Sequence, residues 1–243
     1  MMFELGKAPV GWNDGRLVLV HKKGPIEDIK NYRPLCVIVS LSGLYSKVLN
    51  ERLTETVEAH SLLGEIQNGF RKGRSCSENQ FVLATILWKA REENKNVHCA
   101  YVDLANAYPT VNREKLWLTL KKQGFGDKFI NAIKALYMND RTSAIVLGIK
   151  TKSVYLKRGI KQGCSMSPLL FSLYVADLGE AITNSTDGFE LNGKIISGLF
   201  LADDLVLVAK KPQGLKNLLA CTQKWCIFKD QNRFQSKEIY PTQ

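Results

Sequence analysis

Two adjacent aspartates, Asp203 and Asp204, stand between apolar runs in the segment LFLADDLVLVA. A pair of acids in such a place costs desolvation and mutual repulsion unless a cation lies nearby, so the two are candidate metal ligands. Aspartate is also a common turn residue, and a hairpin with solvated aspartates explains the same segment equally well. The segment alone leaves both interpretations open.

A third carboxylate, Asp103, ends another apolar run, VHCAYVDL. If the two runs form neighbouring strands, three carboxylates converge at one edge of a sheet, although the spacing alone does not require it. Mg²⁺ favours a few carboxylates together with waters and substrate phosphates. Two such ions, about 3.5–4 Å apart, stabilise the attacking and leaving oxygens of a phosphoryl transfer. The three acids therefore predict a two-metal phosphoryl-transfer site.

The surrounding residues predict the elements that position these acids. A short strand is predicted at RLVLVH, an amphipathic helix from Leu41 to Val57, and a second helix from Ser77, its N-cap, to about Asn94. Further along, the patterns predict helices near 113–122 and 127–138, paired strands in SAIVLG and TKSVYLK, a helix in SPLLFSLYVADLGEAI, a hairpin at Asp203 and Asp204, and a helix in LKNLLACTQKWCIF.

The order of these elements predicts an α+β fold. From Val97 onward the order is strand, helices, strands, helix, hairpin and helix. This order indicates a ferredoxin-like antiparallel sheet that is covered by helices on one face. The other face of such a sheet is left free for a substrate.

Composition narrows the possible environments and partners. The chain has 243 residues, 45% of them hydrophobic, and a net charge of +11 from 34 Lys and Arg against 23 Asp and Glu. The positive charge suits a phosphate-bearing partner but also an ordinary basic protein. The six cysteines form no C-x-x-C pair, and we find neither a signal peptide nor an apolar run of membrane-spanning length. We expect a soluble intracellular protein with reduced thiols.

Six ordered blocks carry a resemblance to a known family. The chain resembles the fingers and palm of a non-LTR (LINE-type) retrotransposon reverse transcriptase from about Val10 to about Lys237. The blocks are RLVLVHKKG, IKNYRPL, QNGFRKGRS, AYVDLANAYPTVN, RGIKQGCSMSPLLFSLYVADL and LFLADDLVLVA. Any one block is a weak signal, whereas six in order are specific.

The resemblance implies an RNA-directed DNA polymerase that adds dNTPs to a DNA primer on an RNA template. It implies that Asp103 and Asp203 are the main ligands of two Mg²⁺ ions, that Asp204 is a supporting acid, and that Mn²⁺ can substitute. It also implies a fingers-like region at residues 1–96 and a palm-like region at residues 97–243, with part of the fingers interleaved in the palm.

The resemblance alone implies that further residues contact the nucleotide or the template. Tyr108 takes the place of the aromatic steric gate that excludes the ribose 2′-hydroxyl. The other residues that are implied to contact the dNTP are Lys22, Lys23, Arg33, Gln162 and Gly163, and those implied to follow the template backbone are Arg71, Lys72 and Arg74. Without the resemblance, Tyr108 is typical of a half-buried aromatic and the Lys and Arg residues are typical of solvated basic loops. Gly163 is then typical of a glycine in a simple turn.

The sequence departs from the family pattern at several positions. Asn106 and Pro109 stand where a Lys and an Asp are usual, and we expect Pro109 to push Tyr108 out of helical geometry. Leu201 replaces the usual aromatic before ADD. Gln235 holds the place of a Lys that could protonate pyrophosphate, with Lys237 as a possible substitute.

The resemblance also leaves alternatives open. A thumb and an endonuclease are expected elsewhere in a full element, so this chain could be a truncated, inactive remnant that only binds nucleic acid. An RNA-templated RNA polymerase with a similar palm is disfavoured by Tyr108. A purely structural α+β protein leaves the ordered blocks as coincidence. The predicted site of action is nuclear or cytoplasmic, with nuclear action expected by analogy with insertion into a chromosomal target.

Overall fold

The computed structural model describes the backbone of residues 2–146, 148–231 and 234–239. The helices are α1 Met2–Leu5, α2 Ser40–Ala59, α3 Cys76–Glu92, α4 Ala107–Thr110, α5 Arg113–Lys122, α6 Asp127–Ala135, α7 Ser167–Thr183 and α8 Pro212–Lys229. The strands are β1 Asp14–His21, β2 Tyr32–Val37, β3 His98–Leu104, β4 Arg141–Val146, β5 Ile149–Lys150, β6 Val154–Tyr155, β7 Phe189–Leu191, β8 Lys194–Ile196, β9 Gly198–Leu201, β10 Asp204–Ala209 and β11 Phe234–Ile239. The predicted α+β class is confirmed.

The chain folds into two compact units that interleave in sequence. The first unit comprises Met1–Leu53 and Arg113–Ser167, and the second comprises Thr54–Asn112 and Pro168–Gln243. The predicted division into a fingers-like region at residues 1–96 and a palm-like region at residues 97–243 stays a prediction. Residues 54–96 lie in the same compact unit as β3, β9 and β10. The physical reason is that α3 packs against β9, a strand more than a hundred residues further along the chain.

The first unit is built on a sheet in the order β2-β1-β4-β5, with β6 also paired to β4. β1 and β2 are antiparallel, and β1 and β4 are parallel. The core of this unit includes Leu116, Leu120 and Ile133 from the helices α5 and α6, each of which is fully buried. The amphipathic pattern of these short helices thus provides the apolar surface that the sheet needs.

The second unit contains a four-stranded sheet in the order β11-β3-β10-β9, and all its pairings are antiparallel. This is the strand order of a ferredoxin-like sheet. Along β3, the side chains of Ala100, Val102 and Leu104 are buried, whereas Tyr101 and Asp103 are exposed. The helix α8 packs against β3 and β10. One face of the sheet is therefore covered, and Asp103 lies on the other.

Two local predictions need correction. The N-cap of α3 is Ser75 rather than Ser77, and α3 begins at Cys76. Tyr108 lies inside the short helix α4 rather than outside helical geometry. Pro109 is tolerated because it stands in the first turn of α4, where a backbone N–H has no partner within the helix.

None of the helices in the described ranges has both the length and the apolar character that a membrane crossing requires.

Candidate active site

The two adjacent aspartates lie at a tight hairpin between β9 and β10. Leu201 pairs with Asp204, so Ala202 and Asp203 form a two-residue turn. Ala202 has a φ of 61°, an uncommon conformation for a residue with a side chain. The predicted hairpin is confirmed, and it places Asp203 in the turn and Asp204 at the first position of β10.

Asp103 and Asp204 lie directly opposite each other in the pairing of β3 with β10. Side chains at opposed positions of antiparallel strands have Cβ atoms about 4.5–5.5 Å apart. Burial and the negative charge of Asp103 raise the pKa of Asp204 above its usual range. Because both effects disfavour the carboxylate, a cation between the two acids would stabilise their charged forms.

The carboxylates here suit a hard divalent cation whose remaining coordination positions are filled by oxygens of a substrate. No group of three or more His, Cys, Asp or Glu side chains is placed to hold a metal within the part of the chain that the structure describes. Mg²⁺ is commonly bound through one or two carboxylates, with waters and substrate phosphates in the remaining positions. The opposed pair of Asp103 and Asp204, with Asp203 in the adjoining turn, matches that smaller requirement.

Tyr108 is a half-buried aromatic in the same unit as the three acids. Its ring stacks on that of Phe171 in α7, with 5.3 Å between the ring centroids and 12° between the ring planes. Burial, with a smaller contribution from the charge of Asp203, raises the pKa of Tyr108 to about 12. The side chain is therefore an oriented, neutral aromatic near the charge of Asp203.

Asn106, which precedes α4, has a φ of 52°, a conformation that Asn tolerates well.

Gln162 and Gly163 lie against β2 in the first unit. The carbonyl oxygen of Gln162 accepts a hydrogen bond of 2.7 Å from the backbone N–H of Cys36. Gly163 has a φ of 117°, and a Cβ at this position would lie 2.7 Å from the carbonyl oxygen of Cys36. The close approach of two backbones at Gly163 thus requires glycine.

A buried ion cluster, which sequence analysis missed, anchors the segment before Gln162. Asp140 is 3% exposed and forms ion pairs with Arg113 at 2.6 Å and with Lys161 at 3.2 Å. The guanidinium of Arg113 also donates to the carbonyl oxygens of Gly159 at 2.7 Å and Leu156 at 2.8 Å. The sequence around each of these charged residues is mixed polar and apolar, so it does not show that they are buried or which of them meet.

Lys22, Lys23 and Arg33 are exposed residues of the first unit. Arg33 lies opposite Val20 in the pairing of β1 with β2, and Lys22 follows the end of β1. The structure therefore gathers these cations at the β1–β2 connection, on the strand pair whose β2 also contacts Gln162.

Arg71 and Arg74 already have acidic partners in the second unit. The side chain of Arg71 is 6% exposed and donates two hydrogen bonds to Glu58, at 2.9 and 2.8 Å. This ion pair holds the pKa of Glu58 below its usual range. Arg74 pairs with the exposed Glu65 at 2.6 Å, whereas Lys72 is exposed. The geometry of Arg71 is that of a structural residue.

Gln67 is a further residue that sequence analysis did not single out. Its side chain is 3% exposed and makes hydrogen bonds to both backbone polar groups of Ala202, the first residue of the hairpin turn. Gln67 belongs to the block QNGFRKGRS, but no local pattern shows that its partner is a backbone far along the chain.

Gln235 stands opposite Asp103 in the pairing of β11 with β3. The side chains of Gln235 and Lys237 lie outside the described residues, so the predicted consequence of losing a Lys at position 235 stays a prediction.

Comparison with known proteins agrees with this geometry. The family model described as reverse transcriptase (RNA-dependent DNA polymerase) matches residues 20–231. The chain is 28% identical over 220 residues to a Pol polyprotein from the type-1 retrotransposable element R2 of Nasonia vitripennis, covering 90% of this chain and 21% of that protein. It is 25% identical over 230 residues to a probable RNA-directed DNA polymerase from transposon BS of Drosophila melanogaster, covering 90% of this chain and 24% of that protein.

Solved structures show a similar fold. Apo telomerase from Candida tropicalis is 12% identical, with a TM-score of 0.66, and the match covers 96% of this chain and 45% of that chain. A form of the enzyme that lacks its C-terminal domain gives a TM-score of 0.62 and covers 94% of this chain and 50% of that chain. The chain spans about a fifth to a quarter of the sequence relatives described above. The predicted polymerase-like fold and the predicted resemblance are confirmed.

Proposed function

Since this chain belongs to the reverse transcriptase (RNA-dependent DNA polymerase) family, we propose that it is the fingers-and-palm part of an enzyme that extends a DNA primer on an RNA template. The observation that carries the proposal is the register of β3 and β10, which opposes Asp103 to Asp204 beside the turn of Asp203. The non-LTR retrotransposon relatives support a role in retrotransposition.

The proposed role of the three acids is to hold divalent cations together with substrate phosphates. Asp103 and Asp203 would be the main ligands and Asp204 a supporting acid. Bound Mg²⁺ ions, or Mn²⁺ in their place, would favour loss of the proton from the primer 3′-hydroxyl and neutralise charge on the departing pyrophosphate. The cations would favour the charged form of Asp204 in that complex, because they offset the burial and the negative charge of Asp103 that raise its pKa.

Tyr108 is proposed to select deoxyribonucleotides. Its stacking on Phe171 limits the motion of the ring, and a rigid ring can exclude a 2′-hydroxyl by steric contact. Selection by shape does not need a charged phenolate, which agrees with a pKa of about 12.

The exposed cations of the first unit are proposed to bind the triphosphate of the incoming dNTP. Lys22 and Lys23 would act as point charges and Arg33 as a planar donor to phosphate oxygens. Gln162 and Gly163 would lie against the templating base pair. The hydrogen bond between Cys36 and Gln162 supports this assignment because it ties that loop to the strand that carries Arg33.

Template binding is proposed to depend on Lys72 and Arg74, with Arg71 as their structural support. The RNA template, the DNA primer and the dNTPs are the proposed partners, and the net charge of +11 favours such polyanions. Insertion into chromosomal DNA would place this activity in the nucleus. In a full element, a thumb and an endonuclease would be supplied by other parts of the protein.

The test is extension of a DNA primer on an RNA template with Mg²⁺ or Mn²⁺, comparing the chain with Asp203→Ala. We expect extension that requires the metal and falls by at least about 10²-fold in the variant, the order of loss that follows removal of a group that stabilises the transition state. A variant as active as the parent would exclude Asp203 from the reaction.

A second candidate is an inactive remnant that binds nucleic acid. The observation that favours it is Gln235, which stands opposite Asp103 where the family pattern has a Lys. Under this alternative the parent chain would bind template in a salt-sensitive manner and show no extension. The chain would then be fused to the thumb of a related element. Extension by the fusion would show that the parent chain had failed only to hold the primer, whereas no extension would show that the chemistry itself is lost.

A further inference from the structure

The hairpin turn of Ala202 and Asp203 is held from outside the sheet by one buried side chain, Gln67. The carboxamide Nε2 of Gln67 donates to the carbonyl oxygen of Ala202 at 3.2 Å, and its Oε1 accepts from the N–H of Ala202 at 2.9 Å. The same Oε1 accepts from the N–H of Gly69 at 2.8 Å. One side chain thus satisfies both backbone polar groups of a residue that is itself buried.

The backbone around Gln67 runs alongside β9 and brings the carboxamide to the turn. Gln67 and Phe200 form an isolated parallel bridge. The N–H of Phe200 donates to the carbonyl oxygen of Ile66 at 2.8 Å, and the N–H of Asn68 donates to that of Phe200 at 3.0 Å. These bonds fix the position of Gln67 relative to β9, so its contact with Ala202 does not depend on a flexible loop.

Gly69 allows this close approach. A Cβ at Gly69 would lie 2.2 Å from the backbone nitrogen of Ala202 and 2.9 Å from its Cα. Any side chain here would therefore displace the turn or the segment from Gln67 to Gly69. Gly69, which has no side chain, therefore stands where the backbones of the two segments meet.

The turn needs external support because of its conformation. Ala202 has a φ of 61°, which is unfavourable for a residue with a Cβ. An unfavourable backbone conformation persists where contacts with the surrounding structure hold it in place. The two hydrogen bonds between Gln67 and Ala202 are contacts of this kind. Asp203 and Asp204 follow Ala202 directly, so any rotation of this turn moves both carboxylates.

We propose that Gln67 is a positioning residue of the active site, which holds the Ala202 backbone so that Asp203 and Asp204 face Asp103 in a metal-binding arrangement. The inference rests on the proposed function for the role of these acids. Glutamine suits the task because a carboxamide donates and accepts at once. Glutamate at this position would lose the donor and add a charge, and leucine would lose both bonds.

The test compares the parent chain with Gln67→Leu, Gln67→Glu and a control, Thr222→Val. Thr222 is fully buried in α8 of the same unit and donates only to the carbonyl oxygen of Leu218, at 3.0 Å, so the control also removes a buried hydrogen bond. Three quantities are measured on each: hydrogen exchange of a peptide spanning residues 198–208, the Mn²⁺ dissociation constant, and the kcat and KM of primer extension.

For Gln67→Leu we expect the Mn²⁺ dissociation constant to rise by about 10–100-fold, the usual effect of losing a residue that orients metal ligands. We also expect kcat to fall by about the same factor, KM for the dNTP to stay within about twofold, and exchange at residues 198–208 to accelerate beyond that of Thr222→Val. Gln67→Glu keeps the acceptor and removes the donor, so it provides a second, differently disturbed variant should Gln67→Leu not fold.

Exchange and Mn²⁺ affinity equal to those of the control would overturn the inference. A loss of kcat shared equally by Thr222→Val would also overturn it, since the effect would then follow stability alone. If the parent chain neither extends a primer nor binds Mn²⁺, the proposed function fails, and hydrogen exchange by itself still decides whether Gln67 holds the turn.

Discussion

At the scale of single residues, the most informative feature is the placement of Asp204 opposite Asp103. The two carboxylates lie opposite each other, and burial together with the negative charge of Asp103 raises the pKa of Asp204 and disfavours its charged form. Acids whose surroundings disfavour the charged form are frequent at functional sites, where a bound cation or other ligand offsets the unfavourable effect. This link between repulsion and metal binding explains why acids on one exposed sheet face suit phosphoryl transfer.

Tyr108 carries a prediction at the same scale. Replacing it with alanine should remove the steric barrier to a 2′-hydroxyl and lower the preference for dNTPs over rNTPs by about 10²-fold, equivalent to about 2.7 kcal/mol. The preference is measured as the ratio of kcat/KM for the two nucleotides on one template.

Tyr108→Phe serves as the matched control because it keeps the ring that stacks on Phe171. Its preference should equal that of the parent chain. The preference of the parent chain should not change between pH 7 and 9, since a phenol with a pKa of about 12 stays neutral there. An alanine variant with unchanged sugar selectivity would show that Tyr108 is only a core aromatic.

At the scale of elements, the strands were easier to predict than the short connections. Buried and exposed residues alternate along β3, and a period of two is a strong signal that places Asp103 with Tyr101 on the exposed face. The helix α4 has only four residues and contains Pro109, so no periodic pattern could reveal it. The position of Tyr108 therefore had to come from the structure.

The loop at Gly163 carries a prediction at this scale. Gly163→Ala should displace the loop from β2, because a Cβ would lie 2.7 Å from the carbonyl oxygen of Cys36. We expect KM for the dNTP to rise by about tenfold or more, since small displacements of positioning groups carry large kinetic costs.

Gly124→Ala is the matched control for backbone strain. Gly124 also has a positive φ, 89°, but a Cβ there would meet nothing within 4 Å. Gly124→Ala should lose about 1 kcal/mol of stability from its backbone conformation alone, and Gly163→Ala should lose more because its Cβ also meets the carbonyl oxygen of Cys36. Equal KM values in the two variants would mean that the contact with Cys36 is unimportant for nucleotide binding.

At the scale of the whole molecule, sequence analysis predicted an antiparallel sheet covered by helices, but it predicted neither the order of the strands in the sheet nor the limits of the two units. The carboxylates at 103, 203 and 204 could be predicted because apolar runs flank them. The contact between Gln67 and Ala202 joins residues 135 positions apart through backbone atoms, which carry no sequence signal. The acidic partner of Arg71 could not be predicted for a different reason: α2 carries several charged residues, and nothing in the sequence distinguishes Glu58 from the others.

The net charge of +11 predicts that the chain binds single-stranded RNA more weakly as the salt concentration rises. The logarithm of the association constant should fall linearly with the logarithm of the salt concentration, with a slope of about −0.7 for each phosphate contacted. Lys72→Ala should make this slope shallower by about 0.7 because an exposed cation is lost. Arg71→Ala should leave the slope unchanged, since its guanidinium already neutralises Glu58 and is 6% exposed. The reverse pattern, a shallower slope for Arg71→Ala alone, would show that Arg71 leaves Glu58 to bind the template backbone and would withdraw its structural role.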